Sequence, residues 1–256
     1  MMQRSPEVKV LEAWGRLTLW VNHHRPITRL VSLTAGMVVF LAFLPSSMRI
    51  AFWDGLQSHK ILASMLLVFG LLAISLVWTT GQHLDSWVFL YFNVWGPRPI
   101  WLDRIMLGFT QIGSGIAALV IALVLFLASD RLLSYELMLG TLTLWLVVEL
   151  MKFLINRSRP FIRLDQARIV GYRAIGRSFP SGHTSQAFFM ATLLSHQFRL
   201  GIRGTFALYA IAVLVGFTRM YVGAHYPRDV IGGAILGSIW GVLATLVEPY
   251  WLGLQF

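Results

Sequence analysis

The chain has 256 residues, 57% of them hydrophobic and 12% charged, and its mean hydropathy is +0.68. Soluble domains hold about 25% charged residues, so this composition cannot cover a water-facing surface and excludes a soluble enzyme or a disordered chain. Lys and Arg number 21 against 11 Asp and Glu, a formal net charge of +10; in a membrane chain that excess reads as loop charge and attraction to anionic lipid, not as a nucleic-acid surface.

The length suits one membrane domain of several helices, each of about 20 residues. There is no cysteine, hence no disulfide, thiolate nucleophile or Cys-ligated metal. Residues 1–29 carry Arg4, Lys9, Arg16, Arg25 and Arg29 and lack the apolar core and cleavage site of a signal peptide. Leu11, Trp14, Leu17 and Trp20 recur every three residues, so 10–21 reads as a helix lying at the interface. Residues 30–44 form the first strongly apolar run, ended by Pro45. It is short for a span and is read either as one or as an interfacial hairpin.

Residues 61–80 read as a span, followed by a mixed segment, 82–104, whose Trp87, Trp95 and Trp101 suit an interface. The next span covers 112–128, with Gly113, Gly115 and Ala117 permitting close helix contact. Asp130 and Arg131 turn the chain into a span over 132–155. A basic loop, 156–180, holds Arg157, Arg159, Arg163, Arg168, Arg173 and Arg177. Spans over 184–198, 205–222 and 230–247 complete an all-α polytopic membrane bundle of six or seven spans, without internal repeat. The expected division is a basic N-terminal segment, 1–50, ahead of one membrane domain, 51–256.

Ionisable residues at the edges of apolar helices are costly and mark functional sites. Three such segments lie in the second half. In the first, Lys152 to Pro160, a long span runs out, and Pro160 biases Arg159 away from helical geometry; the plainer reading is that both cations snorkel. In the second, Phe179 to Thr184, Ser181 is a candidate N-cap and Gly182 leaves room for an anion at a helix N-terminus, with His183 in the first turn. In the third, Arg219 closes one span and Asp229 begins the next, four residues after His225. A carboxylate there can orient the imidazole and leave its other nitrogen free as nucleophile or base. The intervening spans put all three segments at one membrane face. Three cations, two histidines and one carboxylate around a helix N-terminus make an anion site with its own nucleophile, matched to phosphoryl transfer. No acidic cluster suited to Mg²⁺ is visible in the sequence, so metal-free transfer through histidine, with no cofactor, is the chemistry that fits.

These segments resemble the type 2 phosphatidic acid phosphatase family, the lipid phosphatase relatives of the vanadium haloperoxidases. Lys152 to Pro160 is similar to its K-x6-R-P motif, Pro180 to His183 to its P-S-G-H motif, and Arg219, His225 and Asp229 to its S-R-x5-H-x3-D motif, with Thr218 replacing the usual Ser. The resemblance covers 152–229 and implies a six-helix phosphatase core, leaving the N-terminal segment unexplained. It implies that His225 is the nucleophile that becomes a phosphohistidine, oriented by Asp229. His183 would be the general acid and then the base that activates water. Lys152, Arg159, Ser181, Gly182 and Arg219 would bind the substrate phosphate. The implied substrates are membrane lipid phosphates: phosphatidate, phosphatidylglycerophosphate, undecaprenyl diphosphate or lipid A phosphates.

A lipid phosphotransferase of the same fold would share this cradle, passing the phosphoryl group to another lipid. A transporter of anionic lipid would need no nucleophile, so the His/His/Asp set argues against one. Positive-inside counting over seven spans places the site in the cytoplasm. Six spans, with the basic N-terminus inside, place it outside, and the expectation here is a multi-pass cell-membrane (inner-membrane) protein with an extracytoplasmic site.

Overall fold

The computed structural model describes residues 45–96 and 98–253, with scattered positions between 28 and 43. The expected interfacial helix at 10–21 and most of the apolar run at 30–44 lie outside the described residues. In chain order the helices are α1 (Ser46–Ser58), α2 (Lys60–Ser75), α3 (Thr79–Asn93), α4 (Ile100–Ile112), α5 (Gly115–Leu127), α6 (Arg131–Ile155), the single turn α7 (Pro160–Arg163), α8 (Gly182–Gln197), α9 (Ile202–Tyr221) and α10 (Pro227–Gly253). No strand occurs among the described residues. The fold is the all-α membrane bundle expected. The proposed division at residue 50 falls within α1.

Among the described residues three stretches are long and apolar enough to cross a bilayer: Arg131–Arg163, Ile202–Tyr221 and Pro227–Val247. Two bent pairs bring the number to five, α2 with α3 at 95° and α4 with α5 at 56°. Apolar runs alone suggested six, or seven with 30–44, which lies mostly outside the described residues; five of the six correspond to these stretches and bent pairs, and the sixth is α8. The run at 61–80 stops as a helix at Ser75 and turns sharply into α3, while the run at 112–128 is the second half of the bent α4–α5 rod. At that bend a Cβ on Gly113 would lie 2.5 Å from the His183 carbonyl, so the missing side chain lets α4 end directly against the first turn of α8. Helix α8 has 16 residues, eight of them buried. Its neighbours are protein on several sides, so its length is not set by the bilayer.

The tightest seam joins α8 to α10. Gly233, Gly237 and Gly241 stand at four-residue spacing on α10, and a Cβ at each would meet the Ser181 carbonyl at 2.6 Å, the Ser185 carbonyl at 2.1 Å and Thr192 Cβ at 2.4 Å. Small residues at this spacing let two backbones approach, which is how helices gain dispersion contact where lipid removes the hydrophobic drive. Beside the seam, Leu133, Leu137, Leu144, Val148, Phe189, Met190, Leu193 and Leu236 form a dry core. Side chains such as Val120, Leu123, Trp145 and Leu146 point outward and are exposed, as a lipid-facing surface requires.

Connectivity then sets the polarity of the bundle. The C-terminal ends of α6 and α9 and the N-terminal ends of α8 and α10 gather at one end, and the α5–α6 and α8–α9 turns lie at the other. Gly237→Ala should cost about 1–3 kcal/mol through overpacking, read as a lower Tm in detergent. Gly70→Ala on α2, where nothing lies within 4 Å, should leave Tm unchanged.

Candidate active site

The end of α6 opens the site. Asn156, at φ +55°, closes the helix in the left-handed region, a conformation Asn tolerates better than most residues. The chain then runs extended through Arg159, whose ψ of 158° reflects the following Pro160 at the start of α7. Arg159 is 4% exposed, and its guanidinium is held by three backbone carbonyls: Nε donates to Gly176 at 3.0 Å, Nη2 to Ile175 at 2.8 Å and Nη1 to Ala224 at 2.9 Å.

From that anchorage Nη1 also lies 3.3 Å from His225 Nε2. The other ring nitrogen, Nδ1, is 2.7 Å from the Ser178 carbonyl. A carbonyl only accepts, so Nδ1 carries the hydrogen and Nε2 keeps its lone pair. His225 lies in the loop between α9 and α10, outside the spans. Burial, opposed by Asp229 and reinforced by the Arg159 and Arg219 guanidiniums, pushes its imidazole down to about 3, so the ring is neutral at pH 7. Asp229 Oδ2 stands 3.8 Å from Nδ1. The direct partner of the ring is therefore Ser178, and Asp229 acts on it as a nearby charge. Asp229 Oδ2 accepts the Ser178 hydroxyl at 2.5 Å and the Tyr226 N–H at 2.8 Å.

Arg219, 5% exposed near the end of α9, donates from Nη1 to Thr110 Oγ1 at 2.6 Å, and its Nε is buried without a hydrogen bond. Neither Arg159 nor Arg219 forms an ion pair with a carboxylate among the described residues. Lys152 pairs with the half-exposed Glu149 at 2.7 Å, and its Nζ is 4.0 Å from where a Cβ on Gly182 would stand. Half-buried His183 is within electrostatic reach of Arg219, His225, Lys152 and Arg159. Thus Lys152, Arg159, Gly182, His183, Arg219, His225 and Asp229 all gather at one end of the bundle.

Ser181, expected to bind phosphate, stands at the start of α8. It caps α8, its Oγ accepting from the Thr184 N–H at 3.5 Å and lying 2.8 Å from Thr184 Oγ1. Its own N–H goes to the Asp229 carbonyl at 2.9 Å. The amides of Gly182 and His183, in the first turn, have no carbonyl within the helix to bond and are the donors that this N-terminus offers. Among the described residues there is no group of three or more His, Cys, Asp or Glu side chains that could hold a metal.

Sequence reasoning missed four participants. Arg157, 8% exposed, donates from Nη1 to Asp229 Oδ1 at 2.5 Å, from Nη2 to Gln82 at 2.9 Å and also to Asp85, and it lies 4.4 Å over the Tyr226 ring. Arg228 completes the group, donating from Nε to Asp85 Oδ2 at 2.7 Å. Arg157 was visible as a member of a basic loop, but nothing local distinguishes it from Arg163 or Arg173. Asp85, on α3, and Ser178 carry no signal at all, since their partners lie 21 to 143 residues away.

A model of the PAP2 superfamily matches residues 131–252. The lipid A 1-phosphatase of Rhizobium johnstonii is 38% identical over 110 residues, covering 40% of this chain and 42% of the relative. An undecaprenyl-diphosphatase of Sulfolobus acidocaldarius is 30% identical over 134 residues, covering 50% and 62%. The chain thus spans less than two thirds of the length of these curated relatives. Among solved structures, LpxE of Aquifex aeolicus is 31% identical with a TM-score of 0.57, over 64% of this chain and 95% of that one. A transmembrane PAP2 type phosphatidylglycerolphosphate phosphatase of Bacillus subtilis shares the fold, with a TM-score of 0.64 at 24% identity, over 76% of this chain and 97% of that one.

The ring geometry makes a spectroscopic prediction. Nitrogen-15 NMR of imidazole-labelled protein should show His225 as the neutral Nδ1–H tautomer from pH 8 down to pH 5, because its folded pKa is about 3 and the neutral form persists above that value. Protonation of this ring near pH 6.5 would contradict the buried Ser178 contact.

Proposed function

The chain belongs to the PAP2 superfamily, and on that footing we propose that it is an integral membrane lipid phosphatase acting through a phosphohistidine on His225, without metal. The observation that carries the reading is the His225 ring. Its Nδ1–H is committed to Ser178 and its Nε2 lone pair faces the Arg159 guanidinium, where a phosphate would be drawn. Nε2 attacks phosphorus while the bond to the lipid oxygen breaks, and that oxygen takes a proton from His183 as imidazolium. Water then attacks the phosphohistidine, giving its proton to His183, and inorganic phosphate leaves with His225 restored.

Arg159, Arg219 and Lys152 supply positive charge around the equatorial oxygens, the kind of preorganised field expected to dominate such catalysis. The Gly182 and His183 amides add the α8 N-terminus, and Ser181 fixes where that N-terminus lies. The substrates that fit are the lipid phosphates on which the similar proteins act by name: lipid A phosphates, undecaprenyl diphosphate and phosphatidylglycerophosphate, with phosphatidate as a further member of the class. The site would open outside the cytoplasm, in the cell membrane.

The test is purified protein with a lipid phosphate and with an activated aryl phosphate. His225→Ala should abolish the labelled phosphohistidine with both. His183→Ala should lose far more activity on the lipid ester than on the aryl ester, whose leaving group needs less protonation. Arg159→Lys and Arg219→Lys should each lose most activity, because Lys cannot reproduce the guanidinium fork. Turnover should survive EDTA and be inhibited by vanadate. Complete loss in EDTA that Mg²⁺ restores, or a phosphohistidine in His225→Ala, would sink the mechanism. For sidedness, a cysteine introduced at Arg173 should react with an impermeant maleimide in intact cells, and protection there until lysis would reverse the orientation.

A further inference from the structure

Behind the reacting ring Asp229 belongs to a cluster of four charges, whose other members, Asp85, Arg157 and Arg228, take no part in the mechanism just described. Asp85 on α3 is 3% exposed, Asp229 is fully buried and Arg157 is 8% exposed. Arg228 joins them with a side chain 13% exposed. Two carboxylates and two guanidiniums sum to zero, so the group holds no net charge with which to attract a phosphate. Both Arg157 amino groups already face carboxylates. Arg157 therefore differs from Arg159 and Arg219, which have no carboxylate partner. Burying such a cluster is a poor way to gain stability, since well-packed apolar residues of the same volume often do as well or better. Its use must lie in what it orients.

The contacts run without a gap from Asp85 to Nδ1 of the reacting ring. Asp85 Oδ1 accepts the Arg228 N–H at 3.2 Å, and Oδ2 accepts Arg228 Nε at 2.7 Å and Arg157 Nη2. Arg157 Nη1 then holds Asp229 Oδ1 at 2.5 Å. The other Asp229 oxygen accepts the Ser178 hydroxyl at 2.5 Å, and the Ser178 carbonyl accepts His225 Nδ1–H at 2.7 Å. Resting on the proposed phosphatase reading, we infer that Asp85 is a positioning residue of the reaction: through Arg157 it holds Asp229, and through Asp229 and Ser178 it sets the His225 ring for attack.

The physical reason is competition for Asp229. Its carboxylate lies close enough to Arg159 to interact with it electrostatically. An Asp229 released from Arg157 would turn toward that cradle cation, leaving the imidazole without the charge that stabilises it. When Nε2 bonds to phosphorus the ring becomes a cation that keeps its Nδ1 hydrogen. That is the moment when the 3.8 Å Asp229 charge counts most. Asp85 touches neither the phosphate nor the ring, and it stands outside the 152–229 region that carries the motifs.

The test is a double-mutant cycle on the purified full chain, read as kcat and KM for the activated aryl phosphate, with phosphohistidine trapped in single turnovers. Asp85→Asn should lower kcat and the rate of phosphohistidine formation about tenfold, the size of a typical coupling within one buried network, while KM stays within about twofold. In an Asp229→Asn background the same substitution should change kcat by less than about twofold, because the residue through which it acts is already altered. Ser178→Ala is the second variant. It removes only the hydroxyl donor to Asp229 and should cost roughly fivefold in kcat, again only when Asp229 is intact. If Asp85→Asn does not fold, the Ser178→Ala cycle decides alone. A kcat within twofold of wild type in the decisive variant, or an equal loss with and without Asp229, overturns the inference and leaves a purely structural staple. A wild-type protein that neither releases phosphate nor forms phosphohistidine overturns the phosphatase reading beneath it, a result distinct from normal wild-type turnover beside an unaffected Asp85→Asn.

Discussion

The pairing of Arg157 with Asp85 and Asp229 decides what the other cations at this end of the bundle are free to do. Asp85 and Asp229 are the carboxylates buried among them, and both are occupied by Arg157 and Arg228. Arg159 and Arg219 are left to backbone carbonyls and a threonine hydroxyl, partners that fix direction without cancelling charge. A guanidinium buried in that condition is electrostatically incomplete, and an anion completes it. The division of arginines into matched and unmatched sets thus leaves Arg159 and Arg219 as the cations of the proposed anion site. Had Asp229 paired with Arg159, the same residues would form an inert salt bridge.

That division depends on how closely the helices approach. The first turn of α8 lies against α10 because Gly233 and Gly237 leave room for the Ser181 and Ser185 carbonyls, and against the end of α4 because Gly113 leaves room for the His183 carbonyl. Those contacts bring the Ser181 N–H onto the Asp229 carbonyl, tying the start of α8 to the start of α10 and placing His183 and His225 at one depth. The polar groups are inside at this end and the aliphatic ones outside, as expected for a chain whose solvent over most of its length is lipid. The PAP2 superfamily match over 131–252 covers every helix of this arrangement except α1 to α5. Yet α3 supplies Asp85 and α4 supplies Thr110, so the site is larger than the matched region.

The amino-acid sequence by itself determined the class of molecule and singled out the residues of the candidate site. Composition excluded water as the solvent for most of the surface, and apolar periodicity with polar breaks placed the helices. Helix ends were legible wherever a local rule applies: Pro160 left Arg159 extended and Ser181 capped α8. Lys152, Arg159, His183, Arg219, His225 and Asp229 were legible because a charged residue at the end of an apolar helix is costly enough to stand out.

Tertiary structure decided the rest, for reasons of distance. Hydropathy averages over a run and is blind to a bend, so 61–80 reads as one span although its helix breaks at Ser75. The partner of His225 Nδ1 was expected at Asp229, four residues on, and the nearer acceptor is the Ser178 carbonyl 47 residues before it. Nor does any local pattern separate Arg157, which is paired with two carboxylates, from Arg159, which is held by backbone carbonyls. They are two residues apart in the same basic loop, and the difference is made by the left-handed turn at Asn156, the extended step into Pro160 and two carboxylates brought from α3 and α10. Chemical type is written residue by residue, but whether a charge is matched depends on which other charges the folded chain brings within about 4 Å of it.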